Sequence, residues 1–211
     1  FFVLFSLTIN VDTFAAFEST YEPLQSEKIL FINGNILDGE GNEFLNTDLF
    51  INDGKIVAIG QGISVDDEDV KIINAKNKWI TPGIIDIHSH MGVYPAPSVR
   101  TSSDGNEATS PVTAEVWAEH SMWVQDPQYS LALKGGVTTF HVLPGSANLI
   151  GGRGVTVKNL QRNTIQSMKY PNAKHSLKMA CGENPKRVYG NRGQAPSTRM
   201  GNFAGYRKAW I

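Results

Sequence analysis

Residues 81–90, with the sequence TPGIIDIHSH, decide the fold of this chain. They form a short, β-rich apolar run that ends in His88 and His90. Residues two apart on a strand share a face, so the spacing presents two imidazoles side by side, an arrangement that suits a single metal ion. In a (β/α)8 barrel, active sites are built at the carboxyl ends of the strands. A chance pair in a loop is the alternative, and the preceding Pro-Gly turn and Asp86 argue against it.

These residues match a known signature. Residues 82–90, PGIIDIHSH, resemble the PG-x-(I/V)-D-x-H-x-H motif that opens the catalytic barrel of the amidohydrolase superfamily. Within it, the chain is most similar to the imidazolonepropionase-related amidohydrolases. Residues 136–154, GVTTFHVLPGSANLIGGRG, and residues 179–190, MACGENPKRVYG, carry the same resemblance. It runs from about Lys28 to the end of the chain and implies an N-terminal fragment of a metal-dependent hydrolase.

Length and composition exclude several classes of function. The chain has 211 residues, 41% of them hydrophobic, which is enough to bury a sizeable core. Charged residues make up 18% and the net charge is −1, so no basic surface indicates a nucleic-acid or anionic-lipid partner. The single cysteine, Cys181, excludes an intrachain disulfide framework and a multi-cysteine zinc site.

The N-terminus indicates export. Residues 1–17 combine an apolar run with small residues at the −3 and −1 positions of a cleavage site, as in a signal peptide truncated at its N-terminus. The apolar run, Phe1 to Ile9, is nine residues long and too short for a stable membrane span. A buried N-terminal strand is the alternative. The signal peptide predicts a periplasmic or secreted protein, with residues 18–27 as a polar linker.

Residues 28–82 are predicted to form a small β-domain. Short β-rich runs alternate there with turn sequences, and Asn52-Asp53-Gly54 is a strong hairpin signal. The absence of a helical period predicts a small antiparallel sandwich. Superfamily members build such a sandwich from both chain ends, so the resemblance implies that its N-terminal half is present here.

Residues 83–211 are predicted to form the first part of a TIM-barrel hydrolase domain. The pattern changes to strand, long loop and helix, with barrel strands at 84–90, 137–143 and 176–181 and a short strand at 155–160. The fold class is therefore α/β, a partial (β/α)8 TIM barrel preceded by a small β-sandwich half. About 250 residues make a whole barrel, so we expect roughly three of its eight strands.

Loops and helices are predicted between and after the strands of this domain. The long loop at 91–110 is predicted to form a rim over the site. The glycine-rich loop at 144–154 lacks the spacing of a phosphate-binding loop, which favours turns with close backbone approach over phosphate binding. Helices are predicted at 113–123 and 127–134. A final helix is predicted to be capped by Ser197, with Met200, Phe203, Arg207 and Trp210 on one amphipathic face.

The resemblance implies a third metal ligand near His88 and His90. In related superfamily members, a glutamate or a carboxylated lysine at a strand end ligates or bridges the metals. Glu183, just past the predicted strand at 176–181, is the first candidate; its alternative is a carboxylate at a helix start or in a loop. Lys178 and Lys186 are the lysine alternatives. Asp86 is expected either to lie behind the metal-bound imidazoles, where a carboxylate would fix their tautomer, or to pack below the site.

The remaining histidines and the cysteine give weaker signals. His141, on the second barrel strand, either points into the barrel mouth or is a satisfied polar group. His120 and His175 are predicted to be surface residues. Cys181 precedes a glycine at a strand end, as a nucleophile could, but has no neighbouring histidine and is predicted to be a small core residue.

The activity implied by the resemblance is hydrolysis of a carbon–nitrogen bond in a small amide or cyclic amide. One or two divalent ions, with Zn²⁺ preferred, would activate a water. Two further histidines and a general-base aspartate normally come from later strands, beyond residue 211, so we expect these 211 residues alone to be inactive. The alternative is a non-catalytic relative that uses the fold as a scaffold or for binding. Homo-oligomerisation, metal count and substrate identity stay open.

Overall fold

The computed structural model describes residues 16–211. The predicted signal peptide therefore lies outside the described residues except for its last two. The chain divides into two compact units. One is Glu22–Ile84, and the other combines Ile85–Ile211 with the segment ending at Tyr21. Within the described part, no helix has the length and apolar character needed to cross a membrane.

The smaller unit contains one five-stranded sheet among its described residues. Its strands are β1 (Ile29–Leu37), β2 (Glu43–Asn52), β3 (Lys55–Gly60), β4 (Lys71–Asn74) and β5 (Trp79–Ile80). The order is β3-β2-β1-β4, with β5 also on β1. β2 pairs antiparallel with β1 and β3, whereas β4 and β5 pair parallel with β1. The expected purely antiparallel pairing is thus wrong, because the long connection from β1 to β4 lets the chain return in the same direction.

The predicted hairpin is confirmed in the smaller unit. Asn52 pairs with Lys55 across a two-residue turn. Asp53 and Gly54 both have positive φ, 49° and 69°, as a type I′ turn requires. The Asp-Gly pair therefore sets the register of β2 against β3.

The larger unit contains a second sheet, in the order β6-β7-β8-β9. Its strands are β6 (Ile84–Ser89), β7 (Val137–Val142), β8 (Ile150–Lys158) and β9 (Ser176–Met179). Among the described residues of this unit, four α-helices accompany the strands: α1 (Gln128–Lys134), α2 (Ile165–Met168), α3 (Glu183–Gly190) and α4 (Arg199–Trp210). Short 3-10 helices lie at Arg100–Ser102 and Ala118–His120. The observed class is mixed α/β.

Strand β8 separates β7 from β9, which a partial barrel would place side by side and parallel. It pairs antiparallel with both β7 and β9. Only residues 143–149 join β7 to β8, whereas a parallel connection needs about a dozen residues or more. The chain therefore turns back after β7 and inserts a reversed strand between the two predicted barrel strands.

The core of the larger unit lies on one face of β7 and β8. Phe140 and Val142 of β7 and Val155 and Val157 of β8 are fully or almost fully buried there. Because side chains alternate along a strand, residues between them face the other way. This alternation places His141 on the opposite face of β7.

The predicted helix at 113–123 is wrong. Only the 3-10 turn Ala118–His120 forms there. The backbone instead pairs with β8: Thr113 N–H donates to Ile150 O at 2.8 Å, and Val116 O accepts from Arg153 N–H at 2.8 Å. β-branched side chains such as these favour extended backbone, and the strand edge of β8 satisfies its polar groups.

Helix α4 packs through a different face from the one predicted. Thr198, not Ser197, caps it, accepting a hydrogen bond from Gly201 N–H at 3.0 Å. Buried Asn202 donates to the carbonyl oxygens of residues 181 and 182, and Tyr206 donates to Ala180 O. The predicted apolar face is exposed, including Met200, Phe203 and Trp210. Hydrogen bonds one turn apart thus orient this helix.

The segment just before Glu22 is attached to the larger unit. Phe17 N–H donates to Glu119 Oε1 at 2.9 Å. Glu119 is fully buried and forms an ion pair with Lys169 at 2.6 Å. Ser19 Oγ donates to Lys169 O at 2.8 Å, and Thr20 N–H donates to Gln166 O at 3.0 Å. The first residues of the predicted linker are therefore held by the larger unit.

Candidate metal centre

The two histidines of the opening motif come together at the end of β6. The ring centroids of His88 and His90 are 5.3 Å apart, with the rings nearly perpendicular at 82°. Two imidazoles that share one Zn²⁺ tetrahedrally, at about 2.0–2.1 Å per nitrogen, have centroids roughly 5 Å apart. The separation of the two rings therefore matches that of two imidazoles bound to one metal ion.

A backbone carbonyl fixes the orientation of His90. Its Nδ1 lies 2.8 Å from Leu143 O, at the end of β7, and a carbonyl only accepts, so Nδ1 carries the proton. This leaves Nε2 with a free lone pair for a metal. Carbonyl partners commonly orient metal-bound histidines in this way.

Lys178 is the third group at the site. Its Nζ lies 2.9 Å from His88 Nε2, and the residue is buried on β9. The nearby ammonium, burial and His90 together lower the pKa of His88, whereas the Asp86 carboxylate acts in the opposite direction. Burial lowers the pKa of Lys178 itself. Each shift favours neutral nitrogens, the form that binds metals.

Glu183, the first candidate for the third ligand, lies elsewhere. It begins helix α3, and its carboxylate forms an ion pair with Lys186 at 2.8 Å, with a side chain 72% exposed. The hydrogen bond from Lys186 lowers the pKa of Glu183. Among residues 16–211, no three His, Cys, Asp or Glu side chains form a metal-binding group. The structure brings Lys178 to the histidines and leaves Glu183 and Lys186 paired with each other.

Asp86 contacts the backbone of the motif instead of an imidazole. Its Oδ1 accepts a hydrogen bond from His88 N–H at 3.0 Å. The carboxylate therefore holds the strand end before the first histidine. The tautomer of His90 is fixed instead by Leu143 O, which accepts a hydrogen bond from Nδ1.

Comparisons with known proteins agree on one superfamily. No family profile matches the chain. The amidohydrolase tasK of Hapsidospora irregularis is 38% identical over 152 residues, or 68% of this chain and 16% of tasK. The dihydroorotase of Bacillus cytotoxicus is 31% identical over 56% of this chain and 21% of its own length. The crystal structure of an amidohydrolase from Thermotoga maritima is 40% identical with a TM-score of 0.77, covering 87% of this chain. The chain belongs to the amidohydrolase superfamily.

The chain spans only part of the amidohydrolases that it matches. It covers 16% of tasK, 21% of the dihydroorotase and 46% of the Thermotoga maritima structure. These matches therefore show the superfamily of the chain but not the activity of the whole protein.

His141 and His175 of the larger unit are held by protein groups. His141 Nδ1 lies 2.9 Å from Thr156 Oγ1, and its Nε2 lies 2.6 Å from Ser176 Oγ. Burial, with the nearby His175 and His88, lowers the pKa of His141. His175 Nδ1 donates to Gly154 O at 2.8 Å. His141 therefore matches the satisfied polar group considered from sequence.

The glycine-rich stretch meets the expectation of close backbone approach. A Cβ at Gly145 would lie 2.1 Å from Asn106 Oδ1. Gly152 has φ +110°, and a Cβ there would lie 2.6 Å from the carbonyl oxygen of Val116. Gly145 thus lets the loop between β7 and β8 approach the rim loop, and Gly152 lets β8 approach the extended segment at Val116. Cys181, predicted to be a core residue, is instead exposed, because the chain leaves β9 before it.

A small cavity opens beside His90. It has a volume of about 230 Å³ and is lined by polar and small residues: His90, Tyr94, Asn106, Gly145, Ser146, Ala147, Asn184, Arg187 and Val188. Tyr94 packs edge-on against His90, with centroids 5.9 Å apart. The sequence did not predict Tyr94, four residues after His90, or Arg187, four residues after Glu183, as site residues. Only the fold brings them to one cavity.

Proposed function

We propose that the full-length protein is a metal-dependent hydrolase of carbon–nitrogen bonds in small amides or cyclic amides. The observation that carries this proposal is the convergence of His88, His90 and Lys178. The names of the curated relatives, amidohydrolase and dihydroorotase, support the same class of reaction. In this proposal the larger unit is the first part of a (β/α)8 barrel, and the smaller unit contributes to an accompanying β-sandwich.

The proposed cofactor is one or two divalent ions, with Zn²⁺ preferred. His88 and His90 would hold the metal through Nε2, and Lys178 would complete this side of the site as a neutral amine or as its carbamate. When bound, the metal would lower the pKa of a water to about 7 and polarise the substrate carbonyl. Imidazole ligands suit Zn²⁺ among the divalent ions.

These residues orient the metal-binding nitrogens and favour their neutral forms before a metal binds. Leu143 O keeps the proton of His90 on Nδ1. Asp86 secures the backbone before His88, and burial favours the neutral form of Lys178. The superfamily resemblance assigns proton transfer to an aspartate on a later strand. We therefore propose that catalysis requires more chain than these residues.

Export remains part of the proposal. The signal-peptide pattern at residues 1–17 supports a periplasmic or secreted location. N-terminal sequencing of protein from cell fractions tests this: processed protein outside the cytoplasm is expected. Full-length protein with an uncleaved N-terminus in the cytoplasm would contradict export.

The deciding experiment measures metal content and hydrolysis together. Purified full-length protein is analysed by plasma mass spectrometry and assayed on a panel of acyl amino acids, linear amides and cyclic amides. We expect bound Zn²⁺ and metal-dependent release of amine, both lost in the double variant His88→Ala, His90→Ala. Metal-independent folding without any hydrolysis or stoichiometric metal would instead favour a non-catalytic scaffold.

A further inference from the structure

The cavity beside His90 carries a specific charge pattern. Its lining includes one permanent cation, Arg187, and no carboxylate side chain among the described residues. The polar groups around it are uncharged amides and hydroxyls, including Asn106, Ser146 and Asn184. A site of this kind attracts an anion more readily than a neutral or cationic group.

The guanidinium is held at this cavity by a chain of hydrogen bonds. Arg187 Nη2 donates to Asn184 Oδ1 at 3.4 Å. Asn184 Nδ2 in turn donates to Ser146 Oγ at 2.6 Å. These contacts connect α3 to the loop between β7 and β8. The contact of Arg187 with Asn184 is long, so it leaves the guanidinium able to take a stronger partner.

Glu183 is the acidic competitor for Arg187 on the same helix. Arg187 contributes to the low pKa of Glu183, but Lys186 contributes more. The Glu183 carboxylate pairs with Lys186 at 2.8 Å, is largely exposed and does not line the cavity. Lys186 therefore supplies the main counter-charge of Glu183, and the charge of Arg187 stays available to the cavity.

We propose that this cavity binds a carboxylate of the substrate, with Arg187 as its anchor. The inference rests on the proposed function and names its substrate class: small amides with a carboxylate close to the scissile carbon–nitrogen bond, such as N-acyl amino acids. A guanidinium matches the two oxygens of a carboxylate with parallel N–H donors. Since His90 lines the same cavity, a carboxylate bound there directs the rest of a short substrate to the histidine pair.

The test compares ligands that differ only in charge. N-acetyl amino acids and their C-terminal amides are titrated into metal-loaded full-length protein by calorimetry, and kcat and KM are measured for both series. We expect the acids to bind at least about tenfold more tightly. Arg187→Gln should weaken binding of the acids about 10- to 100-fold, the effect of losing a charged hydrogen-bond partner. Arg187→Lys should restore part of the affinity, and the amides should change little.

The double variant Glu183→Gln, Lys186→Gln is the matched control. It removes the adjacent cation together with the carboxylate that pairs with it, so no competitor for Arg187 is released, and neither residue lines the cavity. Its preference for acids should equal that of the unmodified protein. Circular dichroism melts of each variant verify that α3 remains folded.

Each other outcome has a definite meaning. Acids bound in an Arg187-dependent way without any hydrolysis would refute the proposed reaction and leave the carboxylate site standing. Hydrolysis of acids and amides with equal KM, or the same loss in Arg187→Gln and in the double variant Glu183→Gln, Lys186→Gln, would overturn the carboxylate site and leave the reaction standing. Failure of all carboxylates to bind, or tighter binding of inorganic phosphate than of any acid, would also overturn it.

Discussion

Lys178 Nζ lies 2.9 Å from His88 Nε2, although 90 residues separate them in the chain. An ammonium only donates hydrogen bonds, so Nε2 of His88 accepts when Lys178 is charged. A divalent ion at the same imidazole would displace that ammonium or require its neutral form. The position or the protonation state of Lys178 therefore depends on whether a metal is bound at His88.

The first prediction separates Lys178 from Glu183 as the third metal-binding group. Lys178→Met should lower zinc affinity in the full-length protein by at least about tenfold, because it removes a donor beside His88. Glu183→Gln should leave the affinity unchanged, since its carboxylate faces Lys186. Competition with a chelator measures both. The reverse ranking would restore Glu183 as the ligand.

The pH dependence of stability provides a second prediction, for His141. Its folded-state pKa is lowered mainly by burial, so the unfolded state binds more protons below its ordinary pKa of about 6.5. The free energy of unfolding therefore falls as pH decreases below that value, and the fall ends below the folded pKa. Thermal melts of metal-free protein should lose part of this dependence in His141→Gln. An unchanged pH slope in the variant would contradict the assignment.

Local sequence patterns predicted the features that local backbone chemistry controls. The turn at Asp53 and Gly54 forms because those residues tolerate positive φ, and His88 and His90 meet because a strand alternates its side chains. The location of Lys178 could be predicted only as an alternative. One usable signal was a lysine between Leu177 and Met179, which alternation places on the opposite face from these two apolar residues.

Long-range pairing decided the features that the sequence did not predict. The β-rich pattern of β8 is the same for a parallel and an antiparallel strand, and only the short connection after β7 indicates reversal. The helical expectation at 113–123 failed because pairing with β8 outweighs local propensity at Thr113 and Val116. Arg187 and His90 share a cavity through tertiary structure alone.

The third prediction concerns close packing at Gly152. An alanine there would need φ near +110° and would place Cβ 2.5 Å from Val116 Cγ2 and 2.6 Å from Val116 O. Gly152→Ala should lower the free energy of unfolding by about 2–4 kcal/mol. Gly182→Ala is the control, because φ is negative and no atom lies within 4 Å of its added Cβ. Urea denaturation compares the two, and equal stabilities would argue against close approach at Gly152.

The last prediction concerns how Asp126 holds the rim loop beside the site. Asp126 is fully buried, and its carboxylate accepts hydrogen bonds from Gly92 N–H at 3.0 Å, Ala96 N–H at 3.3 Å and Gln128 N–H at 3.0 Å. Asp126→Ala leaves these donors without their charged acceptor, which should lower the free energy of unfolding by about 3 kcal/mol. Glu115→Ala, at an exposed acidic residue, should change it by less than about 0.5 kcal/mol.

Hydrogen exchange then shows whether the loss is local. Because Gly92 follows His90 by two residues, weakening its hydrogen bond to Asp126 should speed exchange of the Gly92 and Ala96 amides more than that of Val142, at the centre of the core. Zinc affinity should fall in the same variant, since the chain leaving His90 is no longer held. Uniform exchange with unchanged zinc affinity would mean that Asp126 supports the fold without positioning the rim loop.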